Sequence, residues 1–202
     1  MKFRQKTSED RIQRAFIKLL SEQSFQQLTV QNIITKAGVA RGTFYRYYLD
    51  KFDLLNRCED QLTHESDYIF RQYRRPDLAR IAAHPTNDAF FKLMEYLYQN
   101  RQIVITLINC SASDLWRKIH DLVAVAIGTH ATDQIDQNFE ITPDLARELL
   151  VQNVMTLLKY WLTQPTVITP TGAYQVFIKS RTLSPVDLAQ ELAANKPVSR
   201  LD

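Results

Sequence analysis

The chain has 202 residues, 45% of them hydrophobic, and a formal net charge of +3. This length and apolar content suit one or two folded domains with a sizeable core and exclude an intrinsically disordered chain. Only four glycines, few alternating apolar runs and several long amphipathic segments together predict an all-α protein.

Membrane and metal-binding classes are disfavoured. No apolar run reaches the ~18 residues that a membrane span needs, and the N-terminal segment MKFRQKTSEDR lacks the apolar core of a signal peptide. We therefore expect a cytoplasmic protein with no membrane partner. Cys58 and Cys110 are isolated and are expected to be reduced core residues rather than a disulfide or a redox sensor. The four histidines form no HxxxH or HExxH pattern, so neither a metal nor a cofactor is expected.

Charge is divided unevenly along the chain. Residues 1–51 contain ten Lys or Arg and four Asp or Glu, a balance of +6. The remainder contains 15 basic and 18 acidic residues, a balance of −3. A basic first quarter followed by a mildly acidic body is expected when one domain meets phosphates and the other does not.

The first predicted helix begins at Thr7 or Ser8, with Glu9 and Asp10 in its first turn, where the helix dipole favours acids. Its apolar stripe should pack on the next two helices, and two apolar side chains should fill the bend that follows. The expected core residues are Ile12, Ala15, Phe16 and Leu19, then Phe25 and Leu28 at the bend, then Val30, Ile34 and Phe44.

Two short helices joined by a tight turn are predicted over residues 29–48. Thr29 is the expected N-cap of the first helix, and Gly38 follows Ala37 where a helix ends in the left-handed conformation. A second helix with an aromatic face follows, and Asp50 is expected to cap the helix after it. This arrangement is typical of a helix-turn-helix, whose second helix enters the major groove. The alternative is an ordinary helical hairpin.

The same stretch resembles a known family. The patterns F-x-x-L-T-V-x-x-I from Phe25, A-G-V-A-R-G-T-F-Y-R-Y-Y from Ala37 and D-K-F-D-L-L from Asp50 are similar, in order and spacing, to the N-terminal domain of TetR-type transcriptional regulators. Ala40 departs from the family, which usually carries a capping Ser or Thr there. Tyr48 replaces the usual Phe.

The resemblance implies which residues meet DNA. Arg41, Thr43 and Tyr45 are the candidates for base edges. Thr29, Tyr47 and Lys51 are the candidates for phosphates, Thr29 and Lys51 because they stand at helix N-termini. Arg46 suits either role or is solvated, and Gly42 completes the predicted DNA-binding set.

A long helix from Asp50 to about Arg74 is predicted to connect a DNA-binding domain of residues 1–51 with a helical body of residues 52–202. Arg75-Pro76 should end it. The residues expected on or near its inner face are Phe52, Leu55, Cys58, Leu62, Ile69 and Tyr73.

The body is expected to continue as helices. One helix is expected to start at Thr86 or Asn87, after His84-Pro85, and a second to span 101–109. A third should follow a cap at Ser111 or Ser113. After a polar loop at 131–142, a fourth should run from Thr142-Pro143 to Pro165, and the last should span 185–195. Residues 166–180 suit either a short helix or an extended piece. Within this body, Lys159-Tyr160-Trp161-Leu162 and SPVDLAQEL resemble the branch that includes regulators of dihydroxyacetone kinase genes.

Two further functions are expected of the body. A two-fold homodimer should form on residues 144–163 and 185–195, through Leu149, Leu150, Val154, Leu157, Leu158, Trp161 and Leu188, unless these residues are all monomer core. The family resemblance also implies a small-molecule effector, held by Tyr68, Phe91, Tyr96, Tyr98, Trp116 and Tyr160 and oriented by His64, Asn109 and His120.

The sequence therefore predicts a homodimeric regulator, most simply a repressor, that binds double-stranded DNA. The alternative is a co-regulator that acts through protein–protein contacts. An enzyme is not expected, because the sequence contains no catalytic Ser-His-Asp set, carboxylate pair or phosphate loop.

Overall fold

The computed structural model of the chain describes residues 7–74, 88–128 and 142–180 and, beyond these, residues 184, 186, 187 and 190. The helices in this part of the chain are α1 (Ser8–Leu20), α2 (Val30–Ala37), α3 (Arg41–Tyr47), α4 (Lys51–Gln72), α5 (Ala89–Gln99), α6 (Arg101–Ile108), α7 (Leu115–Ile127), α8 (Pro143–Thr163) and α9 (Pro170–Ser180). No strand occurs among these residues, so the predicted all-α class is confirmed.

The first three helices form the predicted three-helix unit. Thr7 is the N-cap of α1, and its hydroxyl and the Asp10 carboxylate close a reciprocal capping box. Ile12 and Phe16 of α1 are fully buried against α2 and α3, and Phe25 and Leu28 fill the bend between α1 and α2, as expected. The short helix α3 is therefore held on a core made by its two neighbours.

Helix α4 is the predicted connecting helix, but it buries a different face. Asp50 caps it by accepting from the backbone N–H groups of Phe52 and Asp53. Phe52 and Tyr73, predicted on the inner face, are exposed, so these two assignments were wrong. Because α5 and α7 pack on α4, their position decides its inward face, which contains Glu59 and other residues not predicted there. The buried residues are Leu54, Leu55, Cys58, Glu59, Leu62 and Ser66.

Several helices of the body begin at residues that cap them. Asp88 caps α5, while the predicted signals at 75–76 and 84–87 lie outside the described residues. Segment 101–108 is helical as expected, and Thr142 with Pro143 begins α8. The segment left undecided at 166–180 contains α9, because Tyr174 and Phe177 place a helical face on α5.

The last predicted helix, 185–195, is described only in part. The Ser184 hydroxyl and the Asp187 carboxylate exchange hydrogen bonds with each other's backbone, as a helix start requires. Most of the predicted helix 185–195, including Leu188, and residues 131–141 of the predicted loop lie outside the described residues.

The predicted interface residues of α8 fall into two groups. Val154, Leu158 and Trp161 are at most 5% exposed within one protomer. They belong to the monomer core, where α6, α7 and α9 contact α8, so their assignment to an interface was wrong. The other members, half-buried or exposed, are Leu149, Leu150 and Leu157.

A buried ionic cluster joins α4 to α7. Glu59 is fully buried, and its Oε1 accepts from the backbone N–H of Asp114 at 2.9 Å, next to the start of α7. The Lys118 ammonium lies 3.0 Å from Glu59 Oε2 and 2.7 Å from Asp60 Oδ1. Burial lowers the pKa of Lys118, but the hydrogen bond with Asp60 and the adjacent Glu59 carboxylate outweigh that effect, and the net pKa is raised. The connecting helix is thus tied to the body by paired charges.

Candidate nucleic-acid interface

The turn between α2 and α3 has the geometry expected of a helix-turn-helix. Gly38 has φ 61° and ψ 44°, in the left-handed region. The Nη2 group of Arg11 on α1 donates to the Gly38 carbonyl at 2.5 Å. A Cβ atom on residue 38 would lie only 2.8 Å from this nitrogen. The backbone at this position therefore favours glycine, and any other residue would also displace the Arg11 side chain. The contact with Arg11 was not predicted from the sequence.

Buried aromatic residues hold α3 in place. Phe44 and Tyr48 are at most 1% exposed. The Tyr48 hydroxyl donates to Glu9 Oε1 on α1 at 3.4 Å, and the Arg57 guanidinium of α4 lies 5.7 Å from the centre of its ring. Burial raises the pKa of Tyr48, so this hydroxyl stays protonated and remains a donor. The orientation of α3 is thus set by contacts on both sides.

The opposite side of α3 presents the predicted base-reading residues to solvent. Arg41, Gly42, Tyr45 and Arg46 are exposed, while Thr43 and Tyr47 are half-buried. No side chain caps the helix at Ala40, as the sequence implied. The structure therefore brings six of the eight predicted DNA-binding residues together on one short helix.

Cations and aromatic rings alternate along this face. The Arg41 guanidinium lies 5.5 Å from the centre of the Tyr45 ring, one turn away, and its Nη2 donates to the Tyr45 hydroxyl at 3.4 Å. The Arg46 guanidinium lies 5.5 Å from the centre of the Tyr47 ring. Such cation–π contacts restrict the guanidinium groups before any ligand binds. The face offers planar donors suited to guanine edges and phosphates.

Thr29 is engaged within α2. Its hydroxyl donates to Asn32 Oδ1 at 2.6 Å and accepts from the Asn32 backbone N–H at 3.2 Å. Its own backbone N–H also donates to Asn32 Oδ1, at 3.0 Å. The predicted N-cap role is confirmed. The predicted phosphate contact stays a prediction, because it requires Thr29 to exchange one of these hydrogen bonds.

Lys51 does not have the geometry of the predicted phosphate contact. Its Nζ donates to the backbone carbonyls of Phe25 at 2.9 Å, Gln26 at 3.3 Å and Leu28 at 2.8 Å. An ammonium has three N–H donors, so these carbonyls occupy them all. The bend after α1 folds back onto the start of α4 and offers its carbonyls to Lys51. The predicted phosphate contact stays a prediction, because it requires Lys51 to exchange one of these hydrogen bonds. The side chain joins the bend to the connecting helix.

Eight of the nine predicted effector residues do not line the cavity between α1 and the body that is described below. Phe91 is buried edge-on against Tyr174, at 5.3 Å between ring centres. Trp116 and His120 lie one turn apart on α7, with His120 Nδ1 3.2 Å from Asp121 Oδ1. The exposed members are His64, Tyr68, Tyr98, Asn109 and Tyr160. Of the nine, only Tyr96 lines this cavity.

The described residues contain neither a membrane-spanning helix nor a group of metal ligands. No helix among them is both long and apolar enough to cross a membrane. The same residues contain no group of three His, Cys, Asp or Glu side chains placed to hold a metal ion.

The sequence around the helix-turn-helix is similar to that of known regulatory proteins. Residues 12–58 match the family described as bacterial regulatory proteins, tetR family. Over 61 residues, 30% of this chain, the sequence is 38% identical to an uncharacterized HTH-type transcriptional regulator, YvdT, of Bacillus subtilis (strain 168). A second regulator of that strain, YxbF, is 25% identical over 109 residues, 51% of this chain. The matched segments span 31% and 27% of these two relatives, less than a third of their lengths.

The fold extends the likeness beyond the matched segment. A TetR transcriptional regulator from Streptococcus agalactiae 2603V superimposes with a TM-score of 0.58 at 24% identity, covering 86% of this chain and 92% of that chain. This likeness shows the fold of both parts. The narrower resemblance to dihydroxyacetone kinase gene regulators stays a prediction, as does the domain boundary at residue 51.

Proposed function

We propose that this chain, whose residues 12–58 match the tetR family of bacterial regulatory proteins, is a transcriptional regulator of that family that binds double-stranded DNA in the cytoplasm. The observation that carries the proposal is the exposed cationic and aromatic face of α3, fixed from behind by Phe44 and Tyr48. A short helix held in this way can enter the major groove without reorganising its own core.

The roles on α3 divide by reach and chemistry. Arg41, at the first position of the helix, and Tyr45, one turn later, are proposed to meet base edges, since recognition helices use their N-terminal residues for that purpose. Arg46 and Tyr47 are proposed to meet phosphates. The remaining positive charge of residues 1–51 supplies sequence-independent attraction, which weakens as salt rises.

Replacing Arg41 with Ala is expected to relax sequence preference at one operator position by about 1–3 kcal/mol, because a bidentate contact to a base edge is lost. The operator is first selected from random duplexes with the wild-type protein. Binding of each single-base variant of that operator is then measured by fluorescence anisotropy.

The matched control is Arg71→Ala, which removes an exposed arginine of α4 that pairs with Asp67 and should leave all preferences unchanged. Equal weakening of every operator variant by Arg41→Ala would assign Arg41 to phosphate instead. Failure of the selection to enrich any sequence would contradict DNA binding and favour a co-regulator that acts through protein contacts.

The same proposal includes a two-fold dimer, because one seven-residue recognition helix contacts only a few base pairs. Two copies about one DNA turn apart, ~34 Å, would read a roughly palindromic operator, and the bound dimer would repress by excluding other proteins from it. Support comes from apolar side chains that one protomer leaves exposed. Leu145, Leu149 and Tyr160 are 49%, 56% and 68% exposed on α8, and Val176 is 52% exposed on α9. Large apolar side chains exposed on these two helices are the kind that an association surface would bury.

Replacing Leu149 with Arg is expected to convert the dimer to a monomer, since it places a charge in the proposed helical interface. Light scattering at micromolar concentration should give twice 23.5 kDa for the wild type and 23.5 kDa for the variant. Val125→Arg is the control, because Val125 is 72% exposed on α7, outside this surface. A wild-type mass of 23.5 kDa alone would remove the dimer from the proposal.

Control by a small molecule completes the proposal. An effector shifts operator affinity only if it binds the DNA-competent and incompetent states unequally. A coupling of ~1–3 kcal/mol corresponds to an affinity change of about 5- to 150-fold, and the operator must change effector affinity by the same factor.

A further inference from the structure

A cavity of about 610 Å³ lies between α1 and the body. One wall belongs to α1, with Ile17 at its floor, and the other belongs to α4, α5 and α6, with Leu62, Tyr96 and Ile103. Cavities of roughly 300–1,000 Å³ are the size that takes a drug-sized ligand. This cavity thus lies between α1, which packs on the helix-turn-helix, and the helices of the body.

The floor and walls of the cavity select an amphipathic ligand. The apolar residues and the ring of Tyr96 suit a flat hydrocarbon body. Burial raises the pKa of Tyr96 to about 12, so its hydroxyl is a neutral hydrogen-bonding group in any physiological range. The walls above the floor contain four carboxamides, which offer both donors and acceptors. They are Gln13, Gln61, Asn100 and Gln102.

The mouth of the cavity favours an anion. Arg14 and Lys18 of α1 line it, together with Asp10. The Asp10 carboxylate is engaged by the Thr7 backbone N–H at 3.1 Å and lies 3.9 Å from Arg14. Lys18 shares the Glu22 carboxylate with Lys36, at 3.2 Å and 4.0 Å. Two of the charged side chains that line the cavity are cations and one is a carboxylate, so the lining carries a net positive charge.

We propose that this cavity binds an aromatic monoanion and that the bound molecule changes the packing of α1 against the body. Its regulatory part rests on the proposed function, whereas its binding part does not. The site differs from the residues expected from the sequence, since only Tyr96 belongs to both.

Contacts of α1 explain how occupancy would reach DNA. Arg11 of α1 holds the Gly38 carbonyl in the turn, and Glu9 of α1 accepts from Tyr48 beside the recognition helix. Across the junction, Gln26 Nε2 donates to Ser111 Oγ at 3.3 Å, and α1 packs on α6. A ligand that pushes α1 away from α6 would therefore move the turn and α3 together.

The probe for the test is 1-anilinonaphthalene-8-sulfonate, an aromatic monoanion, titrated calorimetrically into the full chain. The probe is expected to bind one site per protomer. Gln61→Trp, at an exposed position lining the cavity, should weaken binding at least tenfold by filling the space. Asn56→Trp is the control, because Asn56 is exposed on the same helix but does not line the cavity.

A second pair of variants tests the charge. Lys18→Gln should weaken binding several-fold, whereas Lys36→Gln should not, although both residues pair with Glu22. Circular dichroism confirms that each variant is folded. Undiminished binding to folded Gln61→Trp would place the probe elsewhere and overturn the proposal, as would no binding to the wild type.

The regulatory part is measured on the selected operator. Saturating probe should change operator affinity at least fivefold for the wild type and leave Gln61→Trp unaffected. Probe binding in the cavity with unchanged operator affinity would overturn the regulatory part. Failure to select any operator would overturn the proposed function, while the calorimetric result would still decide the site.

Discussion

Replacing Lys118 with Met is expected to lower the free energy of unfolding by about 3–5 kcal/mol, because it leaves the buried Glu59 carboxylate without its counter-ion. Glu59 Oε1 accepts from the Asp114 backbone N–H. Its Oε2 has no well-aligned hydrogen-bond donor among the described residues, although the Lys118 ammonium lies 3.0 Å away. The attraction there is therefore mainly Coulombic, and nothing else near Oε2 among those residues replaces it.

Urea unfolding followed by circular dichroism at neutral pH measures this loss. Arg117→Met is the matched control on the adjacent residue, since Arg117 is 62% exposed and pairs with Asp114 and Asp121 at the surface. Exposed pairs of this kind contribute about 0–1 kcal/mol. Similar losses in the two variants would show that the Glu59–Lys118 pair has no special role in joining α4 to α7.

The double replacement Glu59→Met with Lys118→Met distinguishes the contribution of the ion pair from the cost of leaving the Glu59 carboxylate buried and unpaired. Exchanging both members of a buried pair for apolar groups is often near neutral. Here part of the loss should remain, because the Asp114 backbone N–H loses its acceptor. The double variant should therefore unfold at a higher urea concentration than Lys118→Met alone.

The second large effect is expected at Lys51. Lys51→Ala should lower the free energy of unfolding by about 2–4 kcal/mol, because three backbone carbonyls at the bend after α1 lose their donor. The ammonium also lies 4.7 Å from the centre of the buried Phe25 ring, so a cation–π contact is lost as well. Chemical denaturation of the full chain measures the change.

Lys36→Ala is the control for Lys51→Ala, since Lys36 is exposed and its ion pair spans 4.0 Å. Its stability should change by less than about 0.5 kcal/mol. The structural role also makes a distinct prediction for DNA. If Lys51→Ala kept full stability but reduced the salt dependence of operator binding by about one unit, Lys51 would be a phosphate contact after all.

Features that depend on neighbours in the chain were predictable from the sequence. The caps at Thr7, Thr29, Asp50 and Thr142 and the left-handed Gly38 all occur where the pattern predicted them. A cap needs only a side-chain oxygen within three residues of an unpaired N–H, and a left-handed turn needs only glycine. The helix-turn-helix and its exposed residues Arg41 and Tyr45 followed from these local signals.

Features that depend on packing between distant segments were decided by the tertiary structure. Phe52 is exposed and Glu59 is buried, because the helices that cover α4 come from residues 89–127. The helical spacing of Glu59 from Leu55 and Leu62 was the local signal that could have predicted its burial. Lys51 binds carbonyls 23 to 26 residues away. Trp161 lies in the monomer core because other helices of the body cover it. Apolar spacing shows that a helix has an inner face, but only its partners determine where that face lies and whether a cation on it binds DNA or the protein's own backbone.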